Sequence, residues 1–132
     1  MSVESIHIKQ TPHSPEIIID PEKKIFKISG RSLPEEVMDV YHSVLDWVDK
    51  NGAQVVTENY NVSINLFYFN SPTARVLHKI LKKLDSEYSN QPDFSVNWHY
   101  ENEEDLEDAQ DLLDEIKIPV NYIKTPDNLL DS

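Results

Sequence analysis

Between Tyr60 and Tyr88 the apolar pattern changes period once, at a proline, and that change limits what the chain can become. Before it, Val62, Ile64, Leu66 and Tyr68 alternate with Asn61, Ser63 and Asn65, until Phe67 and Phe69 make the second side apolar too. A period of two in β-branched and aromatic residues predicts a strand, and one that turns apolar on both sides predicts cover on both faces. After it, Val76, Leu77, Ile80, Leu81, Leu84 and Tyr88 recur at three- and four-residue spacing, one stripe of a helix. Pro72, with its fixed φ and missing N–H, suits the first helical position, which puts Ser71 at the N-cap. A hydroxyl is therefore expected where a buried strand ends and a helix begins, beside unpaired N–H groups that favour negative charge.

The flanking segments extend the pattern. Ile6 and Ile8 alternate as a short strand, Thr11 to Pro15 reads as a loop, and Glu16 to Asp20 is a second strand closed by a turn at Pro21. Lys24 to Ser29 gives a third strand, close enough to the others for antiparallel hairpins. Ser32 and Glu35 have capping-box spacing ahead of a helical stripe from Val37 to Val48, and Asn51-Gly52 reads as its end. Val55 and Val56 are candidates for the start of the strand at 60–69. Ser89 to Asp93 is a loop, and Phe94 to Tyr100 alternates as a further strand. Nine of the fifteen residues from Glu101 to Glu115 are acidic and none is basic, yet Leu106, Ala109, Leu112, Leu113 and Ile116 keep a helical stripe, so the segment reads as an amphipathic helix with a negative outer face. Ile118 to Ile123 could add a last strand. The expected architecture is α/β: a mixed sheet whose N-terminal antiparallel meander leads into β-α-β-α-β-α crossovers, in one domain over residues 1–124 with a loose tail at 125–132. In such sheets functional groups gather at the carboxyl ends of strands, where Ser71 falls.

Composition excludes several classes. No cysteine is present among the 132 residues, which removes disulfides, thiolate catalysis and cysteine-based zinc sites and fits a cytoplasmic setting. The N-terminus lacks a signal-peptide core, and no apolar run approaches the roughly 20 residues of a membrane span. With 24 acidic against 12 basic residues and a net charge of −12, nucleic acid and anionic lipid are disfavoured partners and a protein with a basic face is permitted. Two glycines do not make a phosphate-cradling loop. The five histidines (His7, His13, His42, His78, His99) show no metal-binding spacing, the acidic run lacks the glycine of a calcium loop, and no nucleophile-elbow motif occurs. No catalytic residue, metal site or cofactor is expected. Trp47 and Trp98 sit in apolar patterns, as core residues.

Three blocks carry a resemblance: Ile28-Ser29-Gly30-Arg31-Ser32-Leu33-Pro34-Glu35, followed by Tyr41 and Trp47; Leu66-Phe67-Tyr68-Phe69-Asn70-Ser71-Pro72-Thr73-Ala74-Arg75; and Val96-Asn97-Trp98-His99-Tyr100-Glu101 with the acidic run behind it. Together they resemble the SiaC family of bacterial regulatory phosphoproteins over about Lys9 to Lys124. The resemblance implies a STAS-like domain without catalysis of its own. It implies a signalling role in which a Ser/Thr kinase phosphorylates the residue after the Tyr-Phe-Asn strand end, and a PP2C-type phosphatase removes the phosphate. The unmodified form binds and activates a diguanylate cyclase, linking the family to cyclic di-GMP and biofilm control. The family's phosphothreonine falls on Ser71. Thr73 is a second candidate acceptor, and Asn70, Ser71, Thr73 and Arg75 are the expected partner-binding residues. This chain departs from the family pattern at Pro72, which alters what a kinase must accommodate. Rival readings are a constitutive protein-binding module in which Ser71 only caps a helix, a partner switch like an anti-sigma-factor antagonist, and a small metal-dependent enzyme using the acidic face.

Overall fold

The computed structural model describes residues 4–89 and 93–125. The tail expected at 125–132 lies, beyond Thr125, outside the described residues, as do residues 90–92 of the loop expected at 89–93. Six strands form one sheet in sequence order: β1 (Ile6–Ile8), β2 (Glu16–Asp20), β3 (Ile25–Ser32), β4 (Asn61–Phe69), β5 (Val96–Tyr100) and β6 (Val120–Lys124). The first three pair antiparallel and the last four parallel, so the expected meander followed by crossovers is what the chain builds. Three helices fill the crossovers: α1 (Val37–Thr57), α2 (Ser71–Ser86) and α3 (Glu103–Leu112).

Each crossover advances one strand in the same direction. Right-handed connections that never reverse put every helix on one face of the sheet. Burial agrees. Ile17, Ile19, Phe26, Ile28, Val62, Ile64, Val96 and Trp98 share the covered face and are buried, and they form one core with Tyr41, Val44, Trp47 and Val48 of α1 and Val76, Leu77, Ile80, Leu81 and Leu84 of α2. The opposite face carries Lys27, Ser63, Asn65, Asn97 and His99, none of them buried. Asn61, Asn97 and Asn121 link three strands there through side-chain amides, Asn97 donating to Asn61 and Asn121 to Asn97. The expectation that the central strand is covered on both faces is thus wrong: the strand order never turns back, so among the described residues no helix reaches the second face.

Phe67 has a different cause. Gly30 pairs with Leu66 but Arg31 with Tyr68, so one extra residue enters β4 at Phe67. Such a bulge shifts the alternation by one. Phe69 turns to the covered face, where its ring meets Trp98 edge-on at 6.3 Å between centroids. Tyr68, grouped by alternation with Val62, Ile64 and Leu66, turns away instead and is 61% exposed.

The expected bounds of α1 need correction at both ends. Ser32 is no cap: it is the last residue of β3, fully buried, and Glu36 takes the N-cap position without a side-chain hydrogen bond. Gly52 does not end the helix, which continues through Val55 and Val56 to Thr57 and closes on Asn59 at φ 54°. Both valines are buried in the core as helical residues, not as the start of β4. Further along, the Asp85 carboxylate accepts from the Lys117 and Ile118 N–H groups, tying the end of α2 to the approach to β6.

Candidate functional site

Parallel pairing of β3 and β4 brings the carboxyl ends of both strands to the first turns of α1 and α2. Because strand order never reverses, no crevice opens between oppositely directed crossovers, the place where such sheets usually hold a small ligand. What lies there instead is a rim. Asn70, not Ser71, is the N-cap of α2: its Oδ1 accepts from the Thr73 N–H at 3.1 Å. Ser71 and Pro72 open the helix after it, so Pro72 sits one position further in than expected, still where its missing N–H costs nothing.

That displacement by one residue decides which hydroxyl is presented. Ser71 is exposed. Thr73 is fully buried, its Oγ1 2.6 Å from Asn70 Oδ1, 2.9 Å from Ser32 Oγ and 3.0 Å from the Ser32 carbonyl oxygen. Ser32 Oγ lies 2.8 Å from the Tyr41 hydroxyl. One assignment uses every proton: Tyr41 donates to Ser32, Ser32 to Thr73, and Thr73 to Asn70 Oδ1. Burial pushes the Tyr41 phenol up to about 12, outweighing the opposite effect of its bond to Ser32, so it stays a donor. Asn70 also donates from Nδ2 to the Pro34 carbonyl at 3.3 Å, and its backbone N–H donates to Ser32 O at 3.1 Å. These contacts join β3, α1 and α2 beneath Ser71. A kinase or partner cannot reach the Thr73 hydroxyl without opening the helix start, which removes Thr73 as a contact residue and as an acceptor in the folded chain. Asn70 is half-buried with its side chain committed inward, a positioning residue more than a contact. Arg75, one turn beyond Ser71, is exposed.

Nothing in the apolar pattern places α3 opposite this point. Ser71, with Phe69, Ala74 and Leu112, lines a groove of about 440 Å³ whose other side carries Asp108 and Asp111. No histidine lines it. His42 and His78 do meet at a second groove, of about 630 Å³, between α1 and α2. Among the described residues no group of three or more His, Asp or Glu is placed to hold a metal ion, and no helix is long and apolar enough to cross a membrane. Sequence reading also missed Tyr68 and Arg31. The Arg31 guanidinium stands 5.7 Å from the Tyr68 ring centroid, and Leu33 and Met38, 40% and 45% exposed, follow at the same end of the sheet. The register shift at Phe67 is the device that exposes Tyr68, and period counting cannot see a bulge.

The class defined by this fold and rim is an α/β domain with its helices on one face of the sheet that offers a serine hydroxyl on a rim instead of in a cleft. Residues 8–125 match the SiaC family of regulatory phosphoproteins, and the chain belongs to that family. A curated relative, an uncharacterised protein of Pseudomonas aeruginosa strain UCBPP-PA14, is 26% identical over 116 residues, covering 86% of this chain and 91% of its own. Apo-SiaC from Pseudomonas aeruginosa has the same fold, with a TM-score of 0.76 at 22% identity over 91% of this chain and 98% of that one. A chain in the crystal structure of the diguanylate cyclase SiaD with its activator SiaC, from the same organism, matches with a TM-score of 0.78 at 23% identity, over 91% of this chain and 99% of that one.

Proposed function

We propose that the chain is a non-enzymatic cytoplasmic switch that docks a diguanylate cyclase through the rim around Ser71, and that phosphorylation of Ser71 releases it. The observation that carries this is the contrast between the two hydroxyls: Ser71, the match to the family's phosphothreonine, is exposed at the start of α2, while Thr73 is sealed beneath it. Membership of a regulatory phosphoprotein family, and SiaC's role as activator of SiaD, support the same reading. A kinase and a PP2C-type phosphatase would set the state of Ser71.

The sign follows from charge. A phosphoryl group adds about −1.5 to −2 at neutral pH. At the first residue of a helix it gains roughly 0.3–1 kcal/mol from the unpaired N–H groups, so α2 does not melt. Asp108 and Asp111 across the groove oppose that gain and supply no counter-charge. The effect therefore falls on the partner, since burying a dianion in an interface costs several kcal/mol unless a cation meets it. Ser71→Ala is expected to keep cyclase binding and lose phosphate incorporation, while Ser71→Glu weakens binding with unchanged thermal stability. Intact-mass analysis after incubation with the cognate kinase, together with calorimetric titration of the cyclase, reads both. Undiminished phosphorylation of Ser71→Ala would overturn the assignment, and full affinity in Ser71→Glu would favour a constitutive module in which Ser71 merely opens a helix.

A further inference from the structure

The chain holds ten lysines and only two arginines, Arg31 and Arg75. Both stand at the carboxyl end of the parallel strands: Arg31 pairs in register with Tyr68, three residues before Ser71, and Arg75 follows Ser71 by one helical turn. Both are exposed. Among the described residues, five of the chain's 24 carboxylates pair with lysine or histidine: Glu16 with His7, Glu58 with Lys24, Asp46 with His42, Glu115 with Lys82 and Asp49 with Lys83. Neither arginine has an ion pair among the described residues. Both guanidinium groups are therefore open to an anionic group of a partner at this end of the sheet.

Tyr68 points the same way. The bulge at Phe67 turns an aromatic ring out of the covered face into solvent, which forfeits burial, and Arg31 lies against that ring. Tyrosine and arginine are the residue types most often found where a few side chains carry most of an interface, and the guanidinium fork matches a carboxylate in a way an ammonium does not. We infer that Tyr68, Arg31 and Arg75 contribute to the contact surface for an acidic segment of the protein effector, with the guanidinium groups meeting its carboxylates. This rests on the reading of the chain as a protein that docks an effector beside Ser71, and it identifies what that effector presents. It also gives the switch a second component: a phosphoryl group on Ser71 repels the same carboxylates and competes for Arg75 at i+4.

The test uses the full chain and the diguanylate cyclase encoded by its own organism, titrated calorimetrically at two salt concentrations. Arg31→Ala, Arg75→Ala and Tyr68→Ala are each expected to weaken binding by about tenfold or more, with melting temperatures held, because all three side chains are exposed. Lys50→Ala, on an exposed part of α1, is the control and is expected to bind as the parent. Arg31→Lys and Arg75→Lys are expected to recover less than half of the lost affinity, and full recovery would overturn the carboxylate-fork assignment. If the three alanine variants bind as the parent while Ser71→Glu does not, this inference fails and the phosphorylation reading stands. If they weaken and Ser71→Glu does not, the inference stands and the phosphorylation reading fails.

Discussion

Ser71 and Thr73 are two residues apart and carry the same functional group, yet one faces solvent and the other closes a chain of hydroxyls reaching Tyr41. Asn70 makes the difference. By taking the cap it moves Ser71 to the first turn and turns Thr73 inward, where Ser32 and the Asn70 side chain satisfy its hydroxyl. A buried network is costly when one member is lost, because the remaining groups stay desolvated without partners. Thr73→Val keeps the shape and removes the hydroxyl, leaving Ser32 and Asn70 short of a partner. It is expected to lower stability by about 1–3 kcal/mol, measured by urea unfolding, whereas Thr73→Ser recovers most of the loss.

Among the elements, α1 and α2 pack against each other as well as against the sheet. Gly52 sits in this contact, buried, in the interior of a 21-residue helix. A Cβ built there would meet Val48 Cγ1 at 3.5 Å and Leu84 Cδ2 at 3.6 Å, ordinary contact distances, and the backbone is helical. Neither close approach nor an unusual φ requires glycine at this position. Gly52→Ala is therefore expected to stabilise the chain by roughly 0.5–1 kcal/mol through a less flexible unfolded state and a better helix former. A rise in melting temperature checks it, and a fall would mean the two helices are closer than these distances allow. Gly30 is the opposite case: the end of the exposed Gln10 side chain, 3.1 Å from a built Cβ, can move aside, but the glycine's φ of 110° strains any other residue just before the bulge that turns Tyr68 outward.

At the scale of the whole molecule, one sheet face is packed and the other is wet, and His99 sits half-buried on the wet side. Burial, helped by Lys27, holds the His99 imidazole below its usual value. The sign is then fixed. Above about pH 6.5, the ordinary histidine value, the ring is neutral in both folded and unfolded chains and contributes nothing. As pH falls from there through the lowered folded value, the unfolded chain takes up a proton that the folded chain does not, so stability declines with acidification. His99→Gln is expected to flatten that decline relative to the parent between pH 7 and 5 in denaturant titrations. The comparison is between the two proteins, since relief of the −12 net charge acts on both alike.

The period of two in β4, the period of 3.6 in α2 and the alternation in β5 were legible along the chain because each is a local consequence of burying one side of one element. So was the rim at Ser71, since a strand that ends at a proline-opened helix leaves polar groups at a surface. Which hydroxyl occupies that rim was not legible: capping by Asn70 or by Ser71 differs by one residue and is decided by what lies beneath, namely Ser32 and Tyr41, 41 and 32 positions away from Thr73. The same holds for Ser32 and Gly52, which read as punctuation in sequence and became core contacts once β3 paired with β4 and α1 met α2. The exposure of Tyr68 and the approach of Asp108 to Ser71 depend on a register shift between two strands and on the packing of α3, quantities that exist only after distant segments have met.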